Sequence, residues 1–95
     1  MEKFKNLLTQ DHLFVFMEGT PLHPNDKRTM KLIQFLDLNQ YKYKYYDVFI
    51  DPDVRDSAIE YSKWTEFPQV YLDQQLIGSA EIAETILPTL DLQRK

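Results

Sequence analysis

The 95-residue chain contains no cysteine, and this absence restricts its chemistry more than any other feature of its composition. Without a thiol, the chain cannot form a disulfide or offer a thiolate nucleophile. It also cannot ligate an iron–sulfur cluster or a cysteine-type zinc site through its own side chains. The lack of cysteine leaves the redox compartment undetermined.

An excess of positive charge and long hydrophobic runs are also absent. Eleven Lys and Arg residues stand against fifteen Asp and Glu residues, which gives a net charge of −4. Binding to a phosphate backbone needs a basic patch, so we do not expect nucleic acid as a partner. No apolar stretch approaches the roughly 18 residues of a membrane span, and no apolar signal core follows residues 1–5. We therefore expect no membrane association and a cytoplasmic location.

The hydrophobic content is sufficient for a core that needs neither disulfides nor metal. Hydrophobic residues make up 43% of the chain, including one Trp, six Tyr and six Phe. A chain of this length is expected to fold as one domain that spans residues 1–95.

The first third of the chain predicts a helix, a buried strand and a loop. The apolar residues within Glu2–Leu8 have the i, i+3, i+4 spacing of a short amphipathic helix. Leu13–Phe16 is an unbroken apolar run, and its length and its β-branched and aromatic content favour a strand buried on both faces. The segment Gly19–Pro24 holds two prolines and a glycine, which indicates a loop.

A second helix and a second strand are predicted to follow. Asn25 is expected to cap the helix, with Asp26 in its first turn, and the helix runs to about Leu38. Its apolar face consists of Thr29, Leu32, Ile33 and Leu36. The segment Tyr41–Val48 first alternates tyrosine with lysine and then shifts phase, so we interpret it as a strand with one exposed face at its start.

Two further helices have clear start signals. Asp51 is a cap residue and Pro52 suits the first helical position. Ser79 is expected to cap the last helix, which Pro88 ends or kinks. The residues predicted to face inward from these two helices are Val54, Ala58, Tyr61, Ile82, Ala83 and Ile86. The tail from Asp91 to Lys95 is predicted to be loose.

The stretch Tyr61–Leu72 links the third helix to a hairpin. Pro68 directly precedes the β-type run Gln69–Leu72, as expected for a residue that cannot donate to a sheet ladder. An X-Pro bond is also where a cis peptide costs least. A turn at Asp73 and Gln74 leads to a short strand that ends before Gly78. The predicted order is therefore α-β-α-β-α-β-β-α, an α/β fold with a four-stranded mixed sheet flanked by helices.

Several motifs resemble the monothiol glutaredoxin family over most of the chain, from Leu8 to about Leu87. They are Phe16-Met17-Glu18-Gly19-Thr20-Pro21, then Arg55, then Tyr61-Ser62-x-Trp64-x-x-Phe67-Pro68-Gln69-x-Tyr71, and finally Leu76-Ile77-Gly78. The resemblance implies a thioredoxin-like fold with a cis-proline loop. It also identifies the chain as a degenerate member, because the family's cysteine falls on Asp26.

At the position of Asp26, the resemblance implies that the family's thiol chemistry has been lost. The family places its cysteine at a helix N-terminus, which favours the thiolate. The four residues that replace cysteine-glycine-phenylalanine-serine are Asp26, Lys27, Arg28 and Thr29. We interpret Asp26 as an acid that satisfies the helix dipole, and the alternative is that its carboxylate imitates a thiolate for a partner. No catalytic residue is predicted.

The glutathione site implied by the resemblance is altered as well. Four of its positions survive and are our candidate binding residues: Arg55, Phe67, Pro68 and Gly78. The family's lysine is replaced by Glu18, which repels an anionic ligand instead of attracting it. Glu66 replaces a threonine that contacts the peptide. We expect Arg55 to pair with Asp51 or Glu18, and we expect an acidic rim composed of Glu18, Asp26, Glu66 and Glu81.

Weaker candidates are present in the same region. His23 and Asp26 have a spacing that could serve a metal on a turn, but two or three ligands without a second histidine do not make a site, so no metal and no cofactor are predicted. Thr20 lies where related thiol-transferases place an activating hydroxyl. Tyr41, Tyr43 and Tyr45 have strand spacing, which favours packing over ligand stacking.

Three functions remain open from the sequence. The first is a redox-inactive binding module that engages a protein on the family's active-site face; the resemblance implies partners that include BolA-type proteins. The second is residual glutathione binding or a glutathione-transferase-like activity that uses Thr20. The third is a structural subunit that dimerises through the same surface.

Overall fold

The computed structural model describes residues 1–90, and the predicted tail Asp91–Lys95 lies outside them. The helices and strands follow in the predicted order, and a 3-10 helix, Leu87–Thr89, follows the last helix. The helices are α1 (Glu2–Leu8), α2 (Lys27–Leu38), α3 (Pro52–Ser62) and α4 (Ala80–Ile86), and the strands are β1 (Leu13–Met17), β2 (Lys44–Asp47), β3 (Gln69–Leu72) and β4 (Gln75–Gly78). Among residues 1–90, no helix combines the length and apolar character needed to cross a membrane.

The four strands form one mixed sheet in the order β2-β1-β3-β4. Strand β1 pairs in parallel with β2 and antiparallel with β3, and β3 pairs antiparallel with β4. This arrangement confirms the predicted fold class, a four-stranded mixed sheet flanked by helices. Helix α2 joins the parallel strands β1 and β2, and a tight turn joins the antiparallel strands β3 and β4.

The central strand β1 divides the core in two. All five of its residues are buried, as the unbroken apolar run predicts. Val15 and its same-face neighbours pack with α2 and α4, whereas Phe14 and Phe16 pack with α1 and α3. Helices therefore cover both faces of the sheet and hold its edges in fixed positions.

The cap of α2 differs from the prediction. Asp26, not Asn25, is the cap residue, with extended backbone and a carboxylate that accepts the backbone N–H of Thr29 at 2.8 Å. The helix itself begins at Lys27, so Asp26 precedes the first turn and does not lie in it. The start of α3 confirms its prediction: Asp51 accepts the backbone N–H of Val54, and Pro52 is the first helical residue.

Four other predictions about the elements need correction. Only Lys44–Asp47 of the predicted strand Tyr41–Val48 is strand, because β1 offers pairing partners only from Phe14 to Met17. Tyr61 and Ile82 are about two-fifths exposed and so are only partly buried, although the Tyr61 ring does face the core rings of Phe4 and Tyr71 at 5.2 and 6.1 Å. Ser79 occupies the cap position of α4, but its side chain makes no cap hydrogen bond.

The turn between β3 and β4 is tied to the start of β1 by a histidine–carboxylate pair. His12 Nδ1 lies 2.6 Å from Asp73 Oδ1, and the His12 carbonyl accepts the backbone N–H of Asp73. The hydrogen bond to Asp73 raises the pKa of His12. A raised pKa in the folded state stabilises the fold below the unfolded pKa of about 6.5, and that contribution is lost as the pH rises through the folded pKa.

We therefore expect Asp73→Asn to lower the melting temperature more at about pH 5.5 than at about pH 8.5. Asparagine tolerates the left-handed backbone that Asp73 adopts, with φ of 48°, so the variant removes only the charge. Thermal unfolding of both proteins across this pH range is the measurement. An equal difference at the two pH values would show that the pair contributes no pH-dependent stability.

Candidate functional site

Several of the predicted site residues meet at one edge of the sheet. The parallel strands β1 and β2 both end there, and β3 begins there because Gln69 pairs with Phe16. Gly78, at the end of β4, pairs with Val70 next to this edge. The peptide bond between Phe67 and Pro68 is cis. We call the surface around it the cis-proline face: the Glu18–Pro24 loop, the starts of α2 and α4, residues 64–68, and Arg55, which lies over the Phe67 ring.

Asp26 lies on this face at the N-terminus of α2. Its carboxylate is engaged by the backbone N–H of Thr29, so one oxygen serves the helix. A carboxylate at this position stabilises the helix dipole, but it has no redox chemistry. The geometry therefore agrees with the interpretation of Asp26 as a structural acid, and it offers no observation in favour of thiolate mimicry.

Arg28 is a residue of this face that sequence reasoning did not single out. Its Nε and Nη2 donate to the two carboxylate oxygens of Glu81 at 2.8 and 2.7 Å, and its Nη1 lies 3.7 Å from Glu66. The guanidinium lowers the pKa of Glu81 to about 2, mainly through this hydrogen bonding, and the pKa of Arg28 itself is raised. One arginine thereby joins α2, the loop before Pro68 and α4.

The second arginine is paired too. Arg55 Nη1 donates to Glu18 Oε2 at 2.6 Å, and its guanidinium carbon lies 4.8 Å from the centre of the Phe67 ring. This confirms Glu18 as the partner of Arg55. Asp51 is not that partner, because its carboxylate accepts from Lys3 and from the hydroxyl of Tyr46.

These contacts reduce the charge of the predicted acidic rim. Three of its four carboxylates, those of Glu18, Glu66 and Glu81, lie within 4 Å of an arginine, so Arg28 and Arg55 offset two of its four negative charges. The prediction counted the acids by position and left out the long side chain of Arg28. No local sequence pattern reveals this residue, since its main partner lies 53 positions further along the chain.

The loop before Pro68 is held in place by hydrogen bonds from the side chain of the buried Gln69. Gln69 Nε2 donates to the Trp64 carbonyl at 3.2 Å, and Gln69 Oε1 accepts from the hydroxyl of Tyr71 at 2.8 Å. The backbone N–H of Trp64 donates to Ser62 Oγ. The Trp64 side chain is 37% exposed, and it lines a shallow cavity of about 440 Å³ with Lys63, Thr65, Glu66 and Ser79. The loop is thus a supported platform with one aromatic ring open to a partner.

Two glycines are required by the backbone at the border of this face. Gly19 has φ of 101°, and a Cβ there would lie 2.5 Å from the carbonyl oxygen of His23. Gly78 has φ of 144°, and a Cβ there would meet Ile82 at 2.6 Å. Both positions favour glycine on conformation and on space.

The four residues predicted as glutathione-site positions are brought together only in part. Phe67 and Pro68 are buried neighbours, and Arg55 stacks on Phe67, while Gly78 lies one strand away at the start of the α4 connection. Thr20 accepts the backbone N–H of His23 within its own loop, as an ordinary turn residue does. In the described part of the chain, no group of three or more His, Asp or Glu side chains is arranged to hold a metal ion.

Comparison with known proteins gives one family. The glutaredoxin family model matches residues 29–77. The "Glutaredoxin 3" protein of Danio rerio is 29% identical over 92 residues, which cover 97% of this chain and 28% of that protein. A ycf64-like monothiol glutaredoxin of Synechocystis is 30% identical over 91 residues, which cover 96% of this chain and 85% of that protein. The chain thus spans about a quarter of the longer relative and most of the shorter one.

A solved structure shares the fold of this chain. The solution structure of mature 1CGrx1 from Trypanosoma brucei superimposes with a TM-score of 0.81 at 22% sequence identity. The aligned part covers 94% of this chain and 63% of that one. The family-model match begins at Thr29, directly after Asp26, Lys27 and Arg28, which the sequence resemblance aligns with the start of the family's cysteine motif.

Proposed function

The chain belongs to the glutaredoxin family, as a homologue of its monothiol members that carries no cysteine, and we propose that it is a non-catalytic protein-binding module. Its binding surface in this proposal is the cis-proline face. The observation that carries the proposal is that both arginines of this face, Arg28 and Arg55, are already paired with carboxylates of the chain itself.

Disulfide chemistry is excluded by the side chains of the chain. Thiol–disulfide exchange begins with attack of a thiolate on a disulfide sulfur. The residue at the family's cysteine position is Asp26, and its carboxylate caps a helix. Within the proposal, the scaffold that once positioned a nucleophile is retained for recognition.

Small-anion binding is disfavoured by the two ion pairs. A ligand carboxylate that approaches Arg55 must displace Glu18, which holds it at 2.6 Å. One that approaches Arg28 must displace a bidentate carboxylate, the strongest geometry for an arginine contact. A protein partner can instead leave both pairs intact and bury the exposed groups around them.

The exposed groups of the face suit such a partner. Trp64 is an aromatic side chain with a supported backbone, and interfaces are enriched in such residues. Leu22 is almost fully exposed at the tip of the neighbouring loop. The arginine–glutamate pairs around them supply a polar rim. We propose a BolA-type protein as the first partner to test, which follows from the family and not from a contact in this structure.

The test is a calorimetric titration with a BolA-type protein. We expect binding that Trp64→Ala weakens by about tenfold or more, because aromatic residues at the centre of an interface carry much of its energy. Leu38→Ala is the control, since Leu38 is also apolar and is 83% exposed but lies at the end of α2 that is remote from this face. Equal weakening by both variants, or no binding by the unmodified chain, would refute the proposed face and partner respectively.

Residual glutathione binding is the second candidate function. The contact of Arg55 with Phe67 favours it, because both are surviving site positions and remain adjacent. We expect no shifts at Arg55, Phe67 or Gly78 when labelled protein is titrated with millimolar glutathione and followed by NMR. Saturable shifts confined to these residues would instead favour this second function.

A further inference from the structure

A different surface, the outer edge of β2, has the properties of a strand-binding site. Strand β2 lies at the end of the sheet, and no other strand of the described part lies beyond it. The backbone N–H of Val48 donates to the Met17 carbonyl, so alternate residues of β2 direct their backbone groups toward β1. The N–H and C=O groups of Tyr45 and Asp47 therefore point away from the sheet. They offer a donor and acceptor ladder to an added strand.

A groove follows this edge. Its volume is about 530 Å³, and its walls are Thr20, Ile50 and the five consecutive residues from Tyr43 to Asp47. Consecutive residues of a strand point to opposite faces, so a groove that all five line must follow the backbone edge between the two faces. Ile50 is 74% exposed and the adjacent Phe49 is 54% exposed, which extends the apolar surface beyond the end of β2.

The two sides of the edge differ in chemistry. Tyr43 packs against the α2–α4 side of the core, and Tyr45 follows it on the same face. Lys44 lies on the other face together with Tyr46, which packs against the α1–α3 side. One side of the groove therefore carries Tyr43, Tyr45 and Asp47, and the other carries Lys44 and Tyr46.

The positive charge on this edge is not neutralised locally. Neither Lys42 nor Lys44 belongs to an ion pair formed within residues 1–90. The nearby Asp47 carboxylate accepts the backbone N–H groups of Gly19 and Phe49, and it lies on the Tyr45 face of the strand, opposite to that of Lys44. On a chain of net charge −4, Lys44 is, within residues 1–90, an unpaired positive charge on this edge, and Lys42 adds a second one just before β2.

We propose that the edge of β2 binds an extended segment of a partner protein in which acidic and apolar residues alternate. Added as a fifth strand, such a segment places its apolar side chains beside Tyr43 and Tyr45 and its carboxylates beside Lys42 and Lys44. This proposal is independent of the cis-proline face.

The positive charge of the lysines also disfavours pairing of the β2 edge with a second copy of this chain. Edge lysines prevent indiscriminate pairing, because an added strand must match their charge. A copy of β2 offers lysines and tyrosines where the edge requires carboxylates, and each copy adds its own net charge of −4. A segment with alternating glutamates meets the requirement directly.

The test uses an acetylated, amidated peptide of three Val-Glu repeats and an NMR titration of the labelled chain. We expect saturable shifts of the Tyr45 and Asp47 amides, binding that weakens with added salt, and no binding of the Val-Lys counterpart. Tyr45→Pro removes the outward N–H without removing a bond to β1. It should weaken binding about tenfold relative to Tyr45→Ala, which keeps that N–H. Unchanged melting temperatures would show that both variants are folded.

Lys44→Glu supplies a second check that leaves the backbone donors in place. It should abolish binding of the Val-Glu peptide and allow binding of the Val-Lys peptide. Equal affinities of Tyr45→Pro and Tyr45→Ala, or shifts that lie on the cis-proline face, would overturn the proposal. So would a concentration-dependent dimer that Lys44→Glu disrupts.

Discussion

Replacing Phe16 by alanine is expected to lower the free energy of unfolding by about 3–5 kcal/mol. Phe16 lies in the central strand β1 and is fully buried. Its ring centre lies 4.8 Å from those of Phe4 and Phe14 and 5.5 Å from that of Tyr71. The substitution removes the ring shared by three aromatic neighbours and leaves a cavity between the sheet and helices α1 and α3.

Denaturant unfolding monitored by circular dichroism measures this change. A domain of this size has a total stability of about 5–15 kcal/mol, so the variant should be close to unfolding at 37 °C. Phe49→Ala is the matched control, because Phe49 is the same residue type and more than half exposed. It should change stability by no more than about 0.5 kcal/mol. Similar losses in the two variants would contradict the assigned core.

The second large effect concerns anion binding on the cis-proline face. Glu18→Lys is expected to raise the affinity for glutathione by about one to two orders of magnitude, because it converts a repulsive charge into an attractive one. It also releases Arg55, whose guanidinium is held by the Glu18 carboxylate at 2.6 Å. Glu18→Gln should give a smaller gain, since it removes the repulsion without adding attraction.

Calorimetric titration of the three proteins with glutathione measures the series. Glu60→Lys is the control, because it makes the same charge change at an exposed position on α3. If Glu60→Lys raises the affinity as much as Glu18→Lys does, the effect comes from net charge and not from the site. None of these variants should reduce a disulfide, because none restores a thiol.

Sequence reasoning was reliable where one local signal determines the structure. The apolar run at Leu13–Phe16, the pair Asp51–Pro52 and the position of Pro68 before a β-type run each specify an element without help from distant residues. The family motifs added the topology, because the order of strands in the sheet is not written in any local pattern.

Sequence reasoning failed where two local choices are equally good or where a distant partner decides. Asn25 and Asp26 are both strong cap residues, and only the backbone conformation selects Asp26. The charge of the cis-proline face depends on the pair Arg28–Glu81, whose members lie 53 positions apart in the sequence. The length of β2 depends on how many of its residues pair with β1, and the alternating tyrosines of β2 do not show where that pairing starts.

Trp64 is the single tryptophan of the chain, so its indole is an intrinsic fluorescent probe. The hydrogen bond from Gln69 to the Trp64 carbonyl fixes the backbone that carries this probe. Its indole is partly open to solvent, and its backbone is fixed to the buried Gln69–Tyr71 pair at the sheet edge. Burial of the ring under a docked protein should shift its emission to shorter wavelength, whereas loss of the fold should shift it to longer wavelength. Docking at the cis-proline face and unfolding therefore shift the tryptophan emission in opposite directions. The fluorescence of an unlabelled sample distinguishes the two events.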